Sequence, residues 1–425
     1  MKLIMKWKEV LLLSMLLFLV LNWASLAEAG SSQGHLKLTR QDAVRIAIDK
    51  NPMVAGLLER LKGLKGDVLQ ARLMPNPDLS IEVENFGGSG DLSGFKGAET
   101  TIGIEQVIET GGKRRDRLNV AQKGLEIGYL DYEIAKLEIA AMAEKAFWRS
   151  YISGEKVDLT QELLNLAKAT LKTVSARVEA GKVSQIEEIK AKVFLSTAKI
   201  LHREAIHQSL VARNELITVL GDEAHVAQFI LEADDPIVPP PSFDKLLLEM
   251  KKGLRFKRLI LKEELAKKRF DLARSYGVPD LKFGIGIRHF EDTRDQALIA
   301  SISMPIPIFN RNNGEKLKTL HEIAQRKHER RAGELELTQR LFEGYQVLDN
   351  SHEELNRLIR ETLPNAKKGV EATKEGYAHG KFAYLDVLDA QRTLYELELR
   401  YLDALLRYRL SLADIKALTG DIRFE

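Results

Sequence analysis

The chain has 425 residues, of which 29% are charged and 7% aromatic, and its formal net charge is +3 at pH 7. It contains no cysteine, which excludes disulfides, thiolate metal sites and a lipid anchor on an N-terminal cysteine. The nearly neutral charge gives no basis for nucleic-acid binding. Abundant Glu, Lys, Leu and Ala favour long helices over a compact enzyme. No nucleophile–base set or phosphate loop is evident, so we predict neither catalysis nor a cofactor.

Residues 1–29 are typical of a secretory signal peptide. Three lysines precede an apolar run over 10–21, and small residues lead up to Ala29. This order of charged, apolar and small residues is that of a cleavable signal, so we predict cleavage between Ala29 and Gly30. An uncleaved membrane anchor is the alternative, although a spanning helix needs about 20 apolar residues.

The rest of the chain repeats one plan. Ala-Arg followed by Pro-Asp-Leu occurs over 71–79 and again over 273–281, and Gly-Lys occurs at 181–182 and at 380–381. Landmarks in the same order at a nearly constant offset predict an internal duplication. We therefore predict a first repeat over 30–221, a stiff proline-rich linker over 222–242, a second repeat over 243–420 and a short tail over 421–425.

Each repeat is predicted to contain two strands, a long helix and a returning helix. In the first repeat these are strands at about 78–86 and 99–108, a helix at about 113–180 and a return at about 184–220. In the second they are strands at about 280–290 and 297–308, a helix at about 314–379 and a return at about 383–418. At about 1.5 Å per residue the first long helix would span roughly 100 Å, enough for two shorter helices to stack beside it.

The long helices carry apolar residues at steps of three and four. One stripe runs from Leu130 to Tyr151, interrupted by Glu144, and the other runs from Leu337 through His352 to Ile359. A period near 3.5 residues predicts coiled-coil packing. Periodicity alone favours an ordinary coiled coil without a pore.

The predicted strands alternate apolar and polar residues. This pattern fits membrane barrel strands and equally a half-buried soluble sheet. Four strands cannot close a barrel, since single-chain examples begin at about 8 strands. Three chains would supply twelve and leave no open edge in lipid.

The second turn region decides between these alternatives. The sequence over 380–395, Gly-Lys-Phe-Ala-Tyr-Leu-Asp-Val-Leu-Asp-Ala followed by Gln-Arg-Thr-Leu-Tyr, closely resembles the periplasmic-tip turn of the TolC family of outer-membrane efflux proteins, and residues 177–191 resemble its first-repeat version. The stretches 108–115 and 305–314 resemble the strand-to-helix crossings of the cobalt–zinc–cadmium-type, heavy-metal branch of that family. Glycine and proline relieve such crossings, here Gly111, Gly112, Pro305 and Pro307.

The resemblance implies a membrane α+β fold. A homotrimeric 12-stranded β-barrel in outer-membrane lipid, four strands per chain, would continue into a long periplasmic α-helical coiled-coil barrel. It implies passive conduction, with a periplasmic adaptor (membrane fusion) protein and an inner-membrane resistance–nodulation–division-type transporter as partners. Heavy-metal cations are the expected cargo. Drug efflux or type I protein secretion is one alternative, and a soluble periplasmic coiled-coil scaffold or adaptor is another.

The resemblance also assigns candidate site residues. Asp386 and Asp389 match aspartates that narrow the periplasmic mouth, and three copies would form a cation-favouring carboxylate ring. The alternative is a solvated helix start, where acidic side chains suit the helix dipole. Phe382 occupies a place where a basic residue can brace the closed mouth in relatives, so the resemblance does not carry that bracing contact over to this chain. The turns proposed to dock the adaptor are Gly181-Lys182 and Gly380-Lys381. Histidine spacings of seven and five residues do not fit a zinc pair, so we predict no metal site.

Overall fold

The computed structural model describes residues 37–221 and 229–420. The predicted signal peptide with its cleavage site at Ala29 and Gly30, the linker residues 222–228 and the tail 421–425 lie outside the described residues. Within the described ranges, no helix is both long enough and apolar enough to cross a membrane.

The same order of elements occurs in both halves of the chain. The first half contains β1 (Lys37–Thr39), α1 (Arg40–Lys50), α2 (Pro52–Arg72), β2 (Asp78–Glu84), β3 (Glu99–Ile108), α3 (Lys113–Glu179) and α4 (Gln185–Leu220). The second contains β4 (Ile230–Glu232), α5 (Phe243–Lys252), α6 (Leu254–Ser275), β5 (Leu281–Phe290), β6 (Gln296–Ser303), α7 (Asn313–Arg357), α8 (Leu363–Ala378) and α9 (Tyr384–Thr419). Each half thus has a short helix, a second helix, a strand pair, a long helical segment and a returning helix.

The four longer strands form one antiparallel sheet in the order β2-β3-β5-β6. Its register sorts the side chains onto two faces, because alternate residues of a strand point to opposite sides. Leu79 pairs with Ile104, Ile104 with Ile285, and Ile285 with Ala300, so one face is apolar across all four strands. Leu79, Ile104 and Ile285 are all exposed. Among the described residues, β2 and β6 each pair on one side only and are the edge strands of the sheet.

The helices pack side by side around α3, which has 67 residues. Near the sheet α3 packs against α2 and α6, and farther from the sheet it packs against α4 and α9. The amide Nδ2 of Asn51, before α2, donates to the carbonyl oxygen of Val219, near the end of α4, at 3.3 Å. Two shorter helices are therefore stacked end to end beside one long helix, as the helix lengths predict.

The main hydrophobic core lies at the middle of the helices. It is built around Trp148 of α3 and Tyr408 of α9, both almost fully buried, and α1 and α5 contribute to it. Glu144 is buried in the α3 stripe and forms ion pairs with Arg40 at 3.7 Å and Lys416 at 3.5 Å. Arg40 and Lys416 therefore explain why a charged residue interrupts the apolar stripe of α3, since a buried charge requires a partner of opposite charge.

The described part of the predicted linker, residues 229–242, packs against other segments of the chain. β4, inside the range predicted as linker, pairs in parallel with β1, with Leu231 opposite Leu38. Farther along, the hydroxyl of Tyr408 donates to the carbonyl oxygen of Val238 at 2.8 Å. The prediction of a stiff linker omitted this strand, because its pairing partner lies almost 200 residues earlier in the sequence.

The fourth strand is shorter than predicted. The sequence predicts it over about 297–308, whereas β6 is Gln296–Ser303. Pro305 and Pro307 follow directly, and a proline has no N–H to donate to a sheet ladder. Met304 and Ile306 continue the apolar alternation but lie outside the strand.

The second long helix is interrupted, which corrects the prediction of one helix over about 314–379. A π-helical turn, Leu358–Thr362, separates α7 from α8. Pro364 accounts for it, because its ring clashes with the carbonyl of residue 360 and it cannot donate an i−4 hydrogen bond. The turn also shifts the apolar stripe: Leu358 is 4% exposed, whereas the predicted stripe residue Ile359 is 44% exposed.

Candidate functional site: the two helical turns and their surroundings

The predicted turn glycines end the long helices in the same way. Gly181 has φ +65° and Gly380 has φ +70°. The N–H of Lys182 donates to the carbonyl oxygen of Arg177 at 2.9 Å, and the N–H of Lys381 donates to that of Gly376 at 2.8 Å. This six-to-one bond closes a helix end on a left-handed residue, a conformation that glycine adopts without a steric penalty. Both Gly-Lys pairs are exposed.

The returning helices begin with different caps. Ser184 precedes α4, and its hydroxyl accepts the N–H of Ile186 at 3.3 Å. Ala383, at the corresponding place before α9, has no side-chain oxygen. Instead the carboxylate of Asp386 accepts the N–H of Ala383 at 2.8 Å. Asp386 therefore caps the start of α9, because its carboxylate satisfies a backbone donor that lies before the helix.

Asp389 lies one turn farther along α9 and is exposed. It lines a groove of about 440 Å³ together with Asp386, Glu187 and Lys190. Glu187 and Lys190 form an ion pair at 3.2 Å, so the α4 side of the groove is internally balanced. The structure thus brings both aspartates to one groove. Arg392 of α9 also lines this groove but is paired with Glu396 at 2.9 Å, so the two aspartates leave the α9 side negative.

A network that sequence reasoning missed joins α3 to both helices of the second hairpin. The guanidinium of Arg177 lies over the ring of Tyr377 at 5.0 Å and also donates to its hydroxyl. The ring of Tyr384 is 5.2 Å from that of Tyr377, and its hydroxyl donates to Thr170 at 3.0 Å. Burial raises the pKa of Tyr384, which keeps the hydroxyl protonated as a donor. Arg177 and Tyr384 lie inside the two sequence stretches that resemble the family turn. That resemblance was the signal by which the sequence could have marked them as candidate site residues.

Phe382 does not join this network. Its ring lies against Gly376, where an added Cβ would be 2.1 Å from the ring carbon Cδ2. It fills the inside of the second turn by van der Waals contact, the opposite of a charged brace. The missing basic residue noted from the sequence therefore corresponds to an apolar contact within one turn.

The strand-to-helix crossing between β3 and α3 is held by polar contacts. Gly111 and Gly112 both have positive φ, and Lys113 starts α3 from a buried position. The ammonium of Lys113 lies 2.6 Å from a carboxylate oxygen of Asp280, which also accepts the N–H of Thr110 at 2.9 Å. The crossing after β6, with Pro305 and Pro307, is tied to α6 by Asn312, whose Nδ2 donates to the carbonyl oxygen of Ala273 at 2.8 Å.

No three His, Asp or Glu residues within 37–221 and 229–420 are grouped so that they could hold a metal ion. His202 instead lies 3.2 Å from the hydroxyl of Thr160. His352, on the predicted stripe of the second long helix, is half-buried with its ring 3.2 Å from the amide of Asn356.

The sequence of this chain is similar to those of known proteins. Residues 43–222 and 256–421 match the family described as outer membrane efflux protein. The cobalt-zinc-cadmium resistance protein CzcC of Cupriavidus metallidurans is 30% identical over 371 residues, which cover 87% of this chain and 86% of that protein.

Solved structures share the fold at lower identity. The outer membrane protein VceC of Vibrio cholerae aligns with a TM-score of 0.75 at 16% identity, covering 89% of this chain and 96% of that chain. A membrane protein from Pseudomonas aeruginosa aligns with a TM-score of 0.74 at 15% identity, covering 90% and 93%. The resemblance read from the turn sequences is confirmed: the chain belongs to the outer membrane efflux protein family.

Proposed function

We propose that three copies of the chain form a passive outer-membrane duct that releases heavy-metal cations. It would receive them from an inner-membrane resistance–nodulation–division-type transporter through a periplasmic adaptor docked at the turns Gly181-Lys182 and Gly380-Lys381. The observation that carries the proposal is the four-stranded sheet, which exposes one mostly apolar face and, within the described residues, has two unpaired edges.

The unpaired edges favour a trimer. A sheet edge in lipid leaves backbone N–H and C=O groups without partners, at a cost of several kcal/mol for each group. Pairing of β6 with β2 of a neighbouring chain removes both edges, and three chains give a closed barrel of twelve strands. Exposed apolar side chains along α4, such as Ile189, Val193 and Ile200, supply a contact surface for a neighbouring chain at the helical level.

The second face of the sheet supports cations as cargo. Its register places Glu82 opposite Thr101 and Asp78 opposite Glu105. Arg288 on this face is already engaged by Glu84 and Glu99, each at 2.8 Å. Carboxylates outnumber basic groups on the face that would line the duct, and carboxylate rings favour cations. Asp386 and Asp389 would add a second ring at the far, helical end.

The kind of cation is suggested by the relatives. CzcC is named for resistance to cobalt, zinc and cadmium, and a further relative, from Alcaligenes xylosoxydans, for resistance to nickel, cobalt and cadmium. No feature of the described residues favours drugs or polypeptides as cargo. A soluble scaffold, the remaining alternative, would leave the apolar sheet face in water.

The test is complementation in a bacterium that keeps the matching adaptor and pump but lacks their outer-membrane component. We expect the full chain to restore growth on zinc, cobalt and cadmium salts, and an Ile285→Asp variant, with a charge on the apolar face, to fail. Correct localisation without restored metal resistance would exclude the metal cargo. A purified protomer that stays single and soluble without detergent would overturn the duct itself.

A further inference from the structure

The segments that join the edge strands β2 and β6 to the helices expose a band of apolar side chains. After β6, Ile306 is 76% exposed and Phe309 is 97% exposed. Before β2, Leu73 and Met74 are also exposed, at the level where the helices meet the sheet. These side chains continue the apolar sheet face toward the helices.

Two arginines at this level have no acidic partner. The Nε of Arg114 donates to the carbonyl oxygen of Arg72 at 2.7 Å, and the Nε of Arg311 donates to that of Pro307 at 3.0 Å. Both side chains are exposed, and neither forms an ion pair with a carboxylate of the described residues. By contrast, Lys113 and Arg117 at the same level are paired with Asp280 and Glu109.

The positions of these arginines are unfavourable for a cation. Arg114 is the second residue of α3, and Arg311 directly precedes Asn312, which caps α7. The start of a helix carries a partial positive charge, so a basic side chain there is repelled unless an anion lies nearby. Because each Nε is held by a backbone carbonyl, the Nη groups of both arginines stay close to the exposed apolar segments.

We propose that this band is a binding surface for membrane phospholipids on the periplasmic side. The guanidinium groups of Arg114 and Arg311 bind lipid phosphate, while Ile306 and Phe309 enter the apolar layer. One phospholipid layer supplies both the anion and the apolar medium, and arginine matches phosphate geometry with two donors. The inference rests on the proposed function, in which the apolar sheet face crosses the outer membrane.

Depth-dependent tryptophan quenching tests the apolar part. Trp148 is only 2% exposed, so a tryptophan added to the mature chain is a clean reporter. The mature chain, which starts at Gly30 and so lacks Trp7 and Trp23, is reconstituted in vesicles of phosphatidylcholine and phosphatidylglycerol with bromine placed shallow or deep on the acyl chains. We expect Phe309→Trp to be quenched mainly by shallow bromine, Leu298→Trp on the sheet by deep bromine, and Phe382→Trp at the distant turn by neither.

The outcomes separate the two proposals. Unquenched Leu298→Trp means that the sheet is not in lipid, and the proposed function fails. Quenched Leu298→Trp with unquenched Phe309→Trp overturns only the lipid-binding band, and a blue-shifted emission at 309 would then indicate a second copy of the chain as the occupant.

The arginines are tested by counting phospholipids retained on the detergent-purified protein. We expect Arg114→Gln combined with Arg311→Gln to retain fewer than the wild type, and Arg392→Gln near the second turn to retain the same number. Washing with inorganic phosphate should leave the wild-type count unchanged if lipid, rather than free phosphate, is the ligand. Equal counts in all variants would overturn the role of the arginines.

Discussion

The two helical hairpins have the same turn but differ in the continuity of the long helix and in charge. α3 runs unbroken to Gly181, whereas the helix that leads to Gly380 is interrupted by the π turn Leu358–Thr362. The first returning helix starts with a serine cap and a balanced ion pair, and the second starts with two aspartates. The comparison shows that a shared backbone motif can carry different chemistry, because the turn depends on a glycine and the charges depend on the residues after it.

The largest functional change is expected at the charges of the second hairpin. If Asp386 and Asp389 narrow the mouth, replacing both with alanine should raise single-channel conductance in planar bilayers several-fold. The matched control is Glu187→Ala with Lys190→Ala at the corresponding places of the first hairpin, which should change conductance less. Wild-type conductance in the aspartate double variant would remove these residues from the mouth.

The helix interruption can be introduced into the first hairpin and removed from the second by exchanging one proline. Asn165 is exposed in the last third of α3, 199 positions before Pro364, and Asn165→Pro should cost about 3 kcal/mol of stability. Conversely, Pro364→Ala should restore regular hydrogen bonding over 358–362. Hydrogen exchange would show slower exchange at 358–362 in the alanine variant and faster exchange around 165 in the proline variant. Unchanged exchange at 358–362 would mean that Pro364 does not cause the π turn.

Because the two turns have the same backbone conformation, replacing either turn glycine should lower the stability of the protein by the same amount. Gly181→Ala and Gly380→Ala should each destabilise the protein by about 1–2 kcal/mol, since both positions have positive φ. Gly154→Ala, inside α3 with open space around it, should instead stabilise by roughly 0.5–1 kcal/mol. Thermal unfolding in detergent measures all three. Clearly unequal costs at 181 and 380 would show that the turns are not equivalent.

The smallest effect is expected at a contact found only in the second hairpin. Glu354, just before the π turn, is 2.7 Å from Arg400 and 2.6 Å from Arg407. The hydrogen bond from Arg400, followed by that from Arg407, lowers the pKa of Glu354. A lowered carboxyl pKa stabilises the fold above the unfolded value of about 4.3, and that contribution is lost as pH falls through the folded value.

Glu354→Gln should therefore lower the unfolding temperature near pH 7, by an amount that corresponds to about 1 kcal/mol. The difference from the wild type should shrink below about pH 4, where the wild-type carboxylate becomes protonated. Glu353→Gln, the neighbouring residue, serves as the control. A difference that persists unchanged at low pH would assign the effect to packing rather than to charge.

Much of the site could be predicted from sequence because its signals are local. A glycine followed by lysine at the same place in both halves predicts both turns, and alternation predicts the two faces of the sheet. The bridge from Arg177 to Tyr377 and Tyr384 could not be predicted, because it depends on which helices lie side by side. The same holds for the cap role of Asp386, which depends on the side-chain rotamer at one helix start.

By itself the sequence determined where both hairpins turn, which strand residues share a face and which family the chain resembles. Each depends on backbone preferences or spacing within a few residues. Only the tertiary structure decided the partners of Glu144, which are Arg40 and Lys416, and the pairing of β4 with β1. Those contacts join residues far apart in the chain, and their free energy appears only when folding brings the groups together and removes water from them.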